Sequence, residues 1–207
     1  MPRDGTPTRE RLLREAERLF AREGLYRVTI REITEAAGQR NVSALNYHFG
    51  SREGILEVIL ARHGDPIDED RGKRLARVGP DGSTRELVAA LVVPYATSLE
   101  TPDGRDYLRI VAQMSEAFGT WRAPRPGTGP WLREILEVLE ARPPSLPLPI
   151  RSERVVAMIM LMTAAMADRA RLVELGRRLP LDEATFVRNL TDMLVGVLEA
   201  PLGLSLA

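Results

Sequence analysis

The chain has 207 residues, 44% of them apolar and 28% charged, a balance that supports a hydrophobic core and excludes a disordered polymer. Cysteine is absent, which removes disulfides, thiolate nucleophiles and Cys-ligated metal centres together. The net charge is zero, yet residues 1–64 carry eleven arginines against nine acids, and the remainder leans the other way by the same amount.

Helical periodicity runs through the whole chain, and no segment alternates as a half-buried strand does. A first helix is expected from about Thr8 to Arg22, with Leu12, Ala16, Leu19 and Phe20 on one face and Gly24 as its stop. The second starts at Thr29. Thr29 and Glu32 have the spacing of a capping box, and Val28 and Ile33 that of a hydrophobic staple, so three local signals agree on one start. Gly38 opens a turn, and a short third helix follows at roughly Val42 to His48. A fourth begins at Ser51 and is expected to stop at Gly64, with Asp65-Pro66 starting another short helix through Ala76. Ser83 and Glu86 form a second capping box, and Thr101-Pro102-Asp103 starts a helix carrying Tyr107, Val111, Met114 and Phe118. Residues 119–130, GTWRAPRPGTGP, read as a Gly/Pro-rich loop, followed by a one-faced helix from Trp131 to Leu139. The stiff connector PPSLPLP leads to two long helices near Ile150–Leu175 and Asp182–Ala200.

The stretch 29–53, TIREITEAAGQRNVSALNYHFGSRE, carries the most information. Two short helices joined by a Gly turn, the second rich in small and polar side chains, have the form of a helix-turn-helix that enters the DNA major groove. Leu45 and Phe49, four apart, are expected to face inward and seat the third helix. Val42, Ser43, Asn46 and Tyr47 then point outward. Asn reads adenine bidentately and Val contacts a thymine methyl. Thr29, Tyr47 and Arg52 suit phosphate oxygens, Arg40 and Asn41 stand at the helix entrance, and His48 is expected against phosphate or its neighbours.

The layout of residues 8–63 resembles the TetR family of bacterial transcription regulators. The resemblance rests on Leu19-Phe20, Gly24, Thr29 to Ile33, Ala36-Ala37-Gly38, Asn41 to Phe49 and Ser51-Arg52-Glu53, about a quarter of the chain. One feature departs from the family pattern. Gln39-Arg40 stand where a Val usually follows the turn Gly, with one extra residue before Phe49, so a bulged turn is expected. The resemblance implies an all-α fold, with a DNA-binding head at residues 1–50 and a helical effector-binding and dimerising domain at 51–207, residues 51–64 being the link.

In the larger part, both tryptophans and every methionine but the initiator suit an adaptable apolar pocket. Tyr95, Met114, Phe118, Trp121, Trp131, Met158 and Met162 are its expected lining, with the 119–130 loop as its lid. The stretch Val155–Ala167 is apolar nearly all round, and the last helix shows two apolar stripes, so two copies are expected to pack as a four-helix bundle. Met166, Phe186, Leu190, Met193, Leu194 and Val197 are the expected interface.

Other chemistry is thin. His48 and His63 do not make a metal set, Gly127-Thr128-Gly129 has neither the strand nor the Lys of a phosphate loop, and no histidine stands in a nucleophile frame. Neither a cofactor nor catalysis is expected. The polar start argues against a secretory signal, and Val155–Ala167 is too short to span a bilayer, so a cytoplasmic protein is expected. The expected function is a homodimeric, effector-released regulator, a repressor on a palindromic DNA operator. The alternative is a helical small-molecule-binding or adaptor protein with a non-functional head.

Overall fold

Local signals dominate the first third of the computed structural model, which describes residues 6–79, 81–123 and 127–203. Helix α1 (Thr6–Glu23) buries Leu12, Leu13, Ala16 and Phe20, the face its sequence marks. The capping box at Thr29 is formed. The Thr29 hydroxyl accepts from the Glu32 amide at 3.3 Å, and the Glu32 carboxylate accepts from the Thr29 amide at 2.8 Å. Such a cap stabilises a helix by about 1 kcal/mol, a large share for α2, which is only Ile30–Ala36.

The turn after α2 does not bulge at its start. Gly38 has φ +68°, the Gly38 amide donates to Glu35 O and the Gln39 amide to Thr34 O at 2.9 Å. This pair of bonds is a Schellman closure, and it needs the left-handed residue that Gly supplies. The extra length falls afterwards, at Arg40–Val42. There the Asn41 carboxamide oxygen accepts from the Ser43 amide at 2.8 Å and stops the chain from drifting before helix α3 (Ser43–Phe49). Leu45 is fully buried and seats α3; truncating such a side chain costs about 2–5 kcal/mol.

Helix α4 (Arg52–Val78) corrects the expected stop at Gly64. It runs 27 residues through both Gly64 and Pro66. An interior Pro costs about 3 kcal/mol, but the inward stripe Ile55, Ile59, Ile67 and Arg71 repeats in steps of four across it, and the packing outweighs the lost bond. The first part of α4 packs on α1 and α3. The rest packs on the next helix, α5 (Thr84–Ala96), and on α7 (Pro130–Glu140). One rigid rod therefore belongs to the head and to the larger bundle alike.

Helix α6 (Pro102–Ala112) ends earlier than its periodicity suggests, and Ser115–Thr120 continue as 3₁₀ turns. Ser115, Gly119 and Thr120 are weak α-formers. Helices α8 (Leu148–Glu174) and α9 (Glu183–Glu199) close the chain. α6 packs against α1 and α8, and α5 against α9. Among the described residues every regular element is helical, and no helix is long and apolar enough to cross a membrane.

Asp106 sits where α1, α6 and α8 meet. Burial pushes its pKa up to about 6, against the pull of Arg22 and Arg109, and its Oδ1 has no donor. Arg109 stands 3.9 Å from that oxygen, and both arginines pair more closely with Glu174. The folded pKa exceeds the unfolded value, so the native state binds more protons between about pH 4 and 6, and stability falls as pH rises through that window. Asp106→Asn is expected to raise stability at pH 8 by about 1–3 kcal/mol and to give no gain at pH 4. Denaturant melts at the two pH values check this.

Candidate nucleic-acid interface and internal cavity

Helix α3 presents one side to solvent. Tyr47 is 85% exposed and Val42 44%, and Arg40, Asn41, Ser43 and Asn46 are also exposed. The buried Leu45 fixes this orientation, so the outward set follows from one inward side chain. Thr29 stands at the exposed N-terminus of α2, where its amide and hydroxyl are held by the Glu32 carboxylate. His48 is half-buried, with its ring edge-on to Tyr47 at 5.0 Å and to Phe49 at 6.2 Å.

Arg52 does not take the phosphate-facing place expected of it. Its Nε donates to Val28 O at 2.8 Å, and its guanidinium lies over the Phe20 ring, 4.9 Å from the centroid. Its second terminal nitrogen is buried without a partner. The side chain ties the start of α4 to α1 and to the chain entering α2, with one terminal nitrogen left beside the exposed Glu53 at 3.6 Å.

A second feature lies inside the larger bundle. A cavity of about 120 Å³ is enclosed by α4, α5, α6, α7 and α8. Tyr95, Met114, Phe118, Trp121 and Met162 line it. Met158 does not; it is packed into the core. Trp131 does not either. It is 40% exposed, and its indole lies across Gly72, where an added Cβ would stand 2.7 Å from the ring. It starts α7, and the first residues of a helix sit at the edge of the layer it packs on. Gly127 and Thr128 border the cavity, while residues 124–126 of the expected lid lie outside the described residues.

Sequence reasoning missed the polar side chains here. Arg71, Tyr107 and Thr163 also line the cavity. Arg71 had a detectable signal, since it is the charged member of the inward four-residue repeat of α4. Burial holds the pKa of the Tyr95 hydroxyl well above the usual tyrosine value and that of Tyr107 up to about 12, so both stay protonated. Among the described residues no group of three or more His, Asp or Glu side chains is placed to hold a metal ion.

Cavity and head touch a common element. Gln113, just past α6, donates to Phe20 O at 3.0 Å and accepts from the Leu25 amide at 2.6 Å. Those two backbone groups flank the turn between α1 and α2, and Tyr107, Val111 and Met114, on and beside α6, face the cavity.

The expected dimer set divides in two. Met166 and Leu194 are completely buried within one protomer and Leu190 nearly so, as parts of the core against α5 and α6. Phe186 and Val197 are half-buried, and Phe186 lies under the Arg169 guanidinium. The outward stripes hold Ala157, Met160 and Ala164 on α8 and Asn189, Met193 and Gly196 on α9; Met160 and Met193 are each 47% exposed.

Comparison with known proteins matches residues 12–59 to the family described as bacterial regulatory proteins, tetR family. The HTH-type transcriptional repressor AcnR of Corynebacterium glutamicum is 29% identical over 115 residues, 56% of this chain and 53% of that protein. The aligned stretch thus spans about half the length of that curated relative. The fold is shared with native NalD, the secondary repressor of the MexAB-OprM multidrug efflux pump in Pseudomonas aeruginosa, at a TM-score of 0.60 and 22% identity, over 93% of this chain and 96% of that one. A TetR-family regulator from Rhodococcus sp. has a TM-score of 0.52 at 15% identity, over 94% and 100% of the two chains.

Proposed function

We propose, from the premise that this chain is a transcriptional regulator of the TetR family, that it is a repressor. In this reading it grips a palindromic operator as a homodimer and releases it when a small molecule enters the internal cavity. The observation that carries the reading is the outward face of α3. Val42, Ser43, Asn46 and Tyr47 stand clear of a helix pinned by the fully buried Leu45. Asn46 has the donor and acceptor to read an adenine edge, Val42 and Ser43 sit at the entering turn, and Tyr47 with Thr29 and Arg40 reaches sugar–phosphate. Arg52 acts at one remove, by holding the head together.

The exposed small and apolar stripes of α8 and α9 support the dimer. Ala157, Ala164 and Gly196 let two copies approach closely, and Met160 and Met193 fill the gaps between them. Control follows from shared elements. α4 and α6 both border the cavity and both grip the head, so an effector that favours one setting of these helices changes the distance between the two α3 helices. It does so only to the extent that it binds that setting more tightly.

The test selects sites from randomised duplexes with the intact protein. Enrichment of a two-fold symmetric motif is expected. Asn46→Ala is expected to relax one position per half-site, at a cost of about 1–3 kcal/mol. Arg52→Ala is expected to lower the melting temperature and leave the selected motif intact. An Asn46→Ala protein that selects the same motif with the same affinity refutes this orientation of α3.

A further inference from the structure

Arg71 is buried, and among the described residues it makes no ion pair. Of the other buried charges, Glu17 has His63 at 2.5 Å, Glu140 has Arg122 and Ser152, Asp106 lies 3.9 Å from Arg109, and Arg169 donates to Leu181 O at 2.7 Å. Arg71 has one backbone carbonyl, Leu91 O, reached from Nε at 3.3 Å. Of the acids just before it on α4, Asp70 pairs with Arg74, and Asp68 is already engaged, since its two oxygens accept the Trp131 and Leu132 amides at 3.1 and 2.7 Å. Tyr95 lines the same cavity as Arg71, and its buried hydroxyl has no hydrogen-bond partner. The rest of the wall is mostly hydrocarbon and ring, with Leu60, Val111, Met114, Phe118 and Trp121, and it also carries the hydroxyls of Tyr107, Thr128 and Thr163.

A buried guanidinium whose terminal nitrogens border a cavity attracts an acceptor that is itself charged, and a planar carboxylate matches its fork. The volume, about 120 Å³, is of the order of the roughly 150 Å³ apolar cavity that admits one benzene ring. The flexible Met114 and Met162 can yield the small remainder. We propose that the cavity binds a small aromatic carboxylate, its carboxylate on the Arg71 guanidinium and the Tyr95 hydroxyl and its ring among Met114, Phe118 and Trp121. This rests on the reading of the cavity as the effector site and gives that effector a chemical class: a one-ring organic acid rather than a neutral or cationic amphiphile.

The pair benzoate and benzamide tests it, because the two share a shape and differ in charge. Binding is followed by calorimetry on DNA-free protein and by Trp121 fluorescence in a Trp131→Phe background, where Trp121 is the single indole. Benzoate is expected to bind at least tenfold more tightly than benzamide. Arg71→Met is expected to abolish the difference, and Tyr95→Phe to weaken benzoate severalfold while leaving benzamide unchanged. The wild-type comparison stands alone if Arg71→Met fails to fold. Equal affinity for the two probes, or no binding of benzoate at millimolar concentration, overturns the proposal. A separate gel shift with benzoate keeps the two readings apart: binding without release of the operator retains the carboxylate site and refutes its role as effector switch.

Discussion

A protein carrying Met160→Glu and Met193→Glu is expected to remain folded, to run as a monomer in light scattering, and to lose operator affinity by roughly 10²- to 10⁴-fold, the factor that linkage of two heads supplies. Both side chains are half exposed in the single protomer, so the substitutions cost its own core little. In a dimer built across α8 and α9 they would instead face each other as buried like charges. Each α8 is 27 residues long, about 40 Å at 1.5 Å per residue, long enough for two copies to bury the area a stable interface requires. Leu194→Glu is the wrong tool for this question. Leu194 is completely buried, so a carboxylate there unfolds the protomer before it can report on assembly. If the double variant stays dimeric with an unaltered melting temperature, the interface lies elsewhere.

The second large effect is expected at Asp68. Helix α7 begins at Pro130 after Gly129, which has no side chain to cap it. The cap comes from α4 instead, where the two Asp68 oxygens take the amides of Trp131 and Leu132. Asp68→Ala removes a cap worth about 1–2 kcal/mol and leaves two part-buried amides without acceptors, at a further cost of about 1 kcal/mol. It also takes away the negative charge that helps Arg71 remain ionised. A total near 3 kcal/mol corresponds to a fall in melting temperature of about 6–12 °C for a chain of this size. Asp68→Asn keeps one acceptor and is expected to lose about half as much. Because Leu132 and Leu136 of α7 line the cavity, the same variants are expected to weaken any ligand bound there. A shift in Asp68→Ala below about 2 °C would show that α7 is held by its apolar face alone.

These two predictions fall on opposite sides of what the amino-acid order reveals. The head was legible because its determinants are local. Thr29 and Glu32 are three residues apart and bond each other, Gly38 supplies the one left-handed residue its turn needs, and Leu45 points inward by helical spacing from Phe49. Hydrogen bonds across three or four residues depend on little beyond the chain between them. The outward face of α3 is the complement of that inward one, and so its candidate DNA contacts could be named in advance. Arg52 could not be placed the same way. Its partners, Val28 and Phe20, lie 24 and 32 residues back, and their approach exists only once α1, α2 and α4 pack.

In the larger part the local signal gives out. Residues Val155–Ala167 are apolar nearly all round, and such a helix carries no preference of its own for which side faces the core. The meeting of α8 with α6 and of α9 with α5 makes that choice, burying Met166, Leu190 and Leu194 and turning Met160 and Met193 outward. The unbroken course of α4 through Gly64 and Pro66 is decided the same way, by burial on both sides of a local defect. So is the charge of the cavity, since Arg71 becomes a lone buried cation only when α7 has claimed Asp68. By itself the sequence determined the capping boxes at Thr29 and Ser83 and the form of the reading head, through contacts a few residues long. Tertiary packing decided which sides of α8 and α9 stay exposed and the chemistry of the cavity, because each depends on groups far apart in the chain competing for the same buried space.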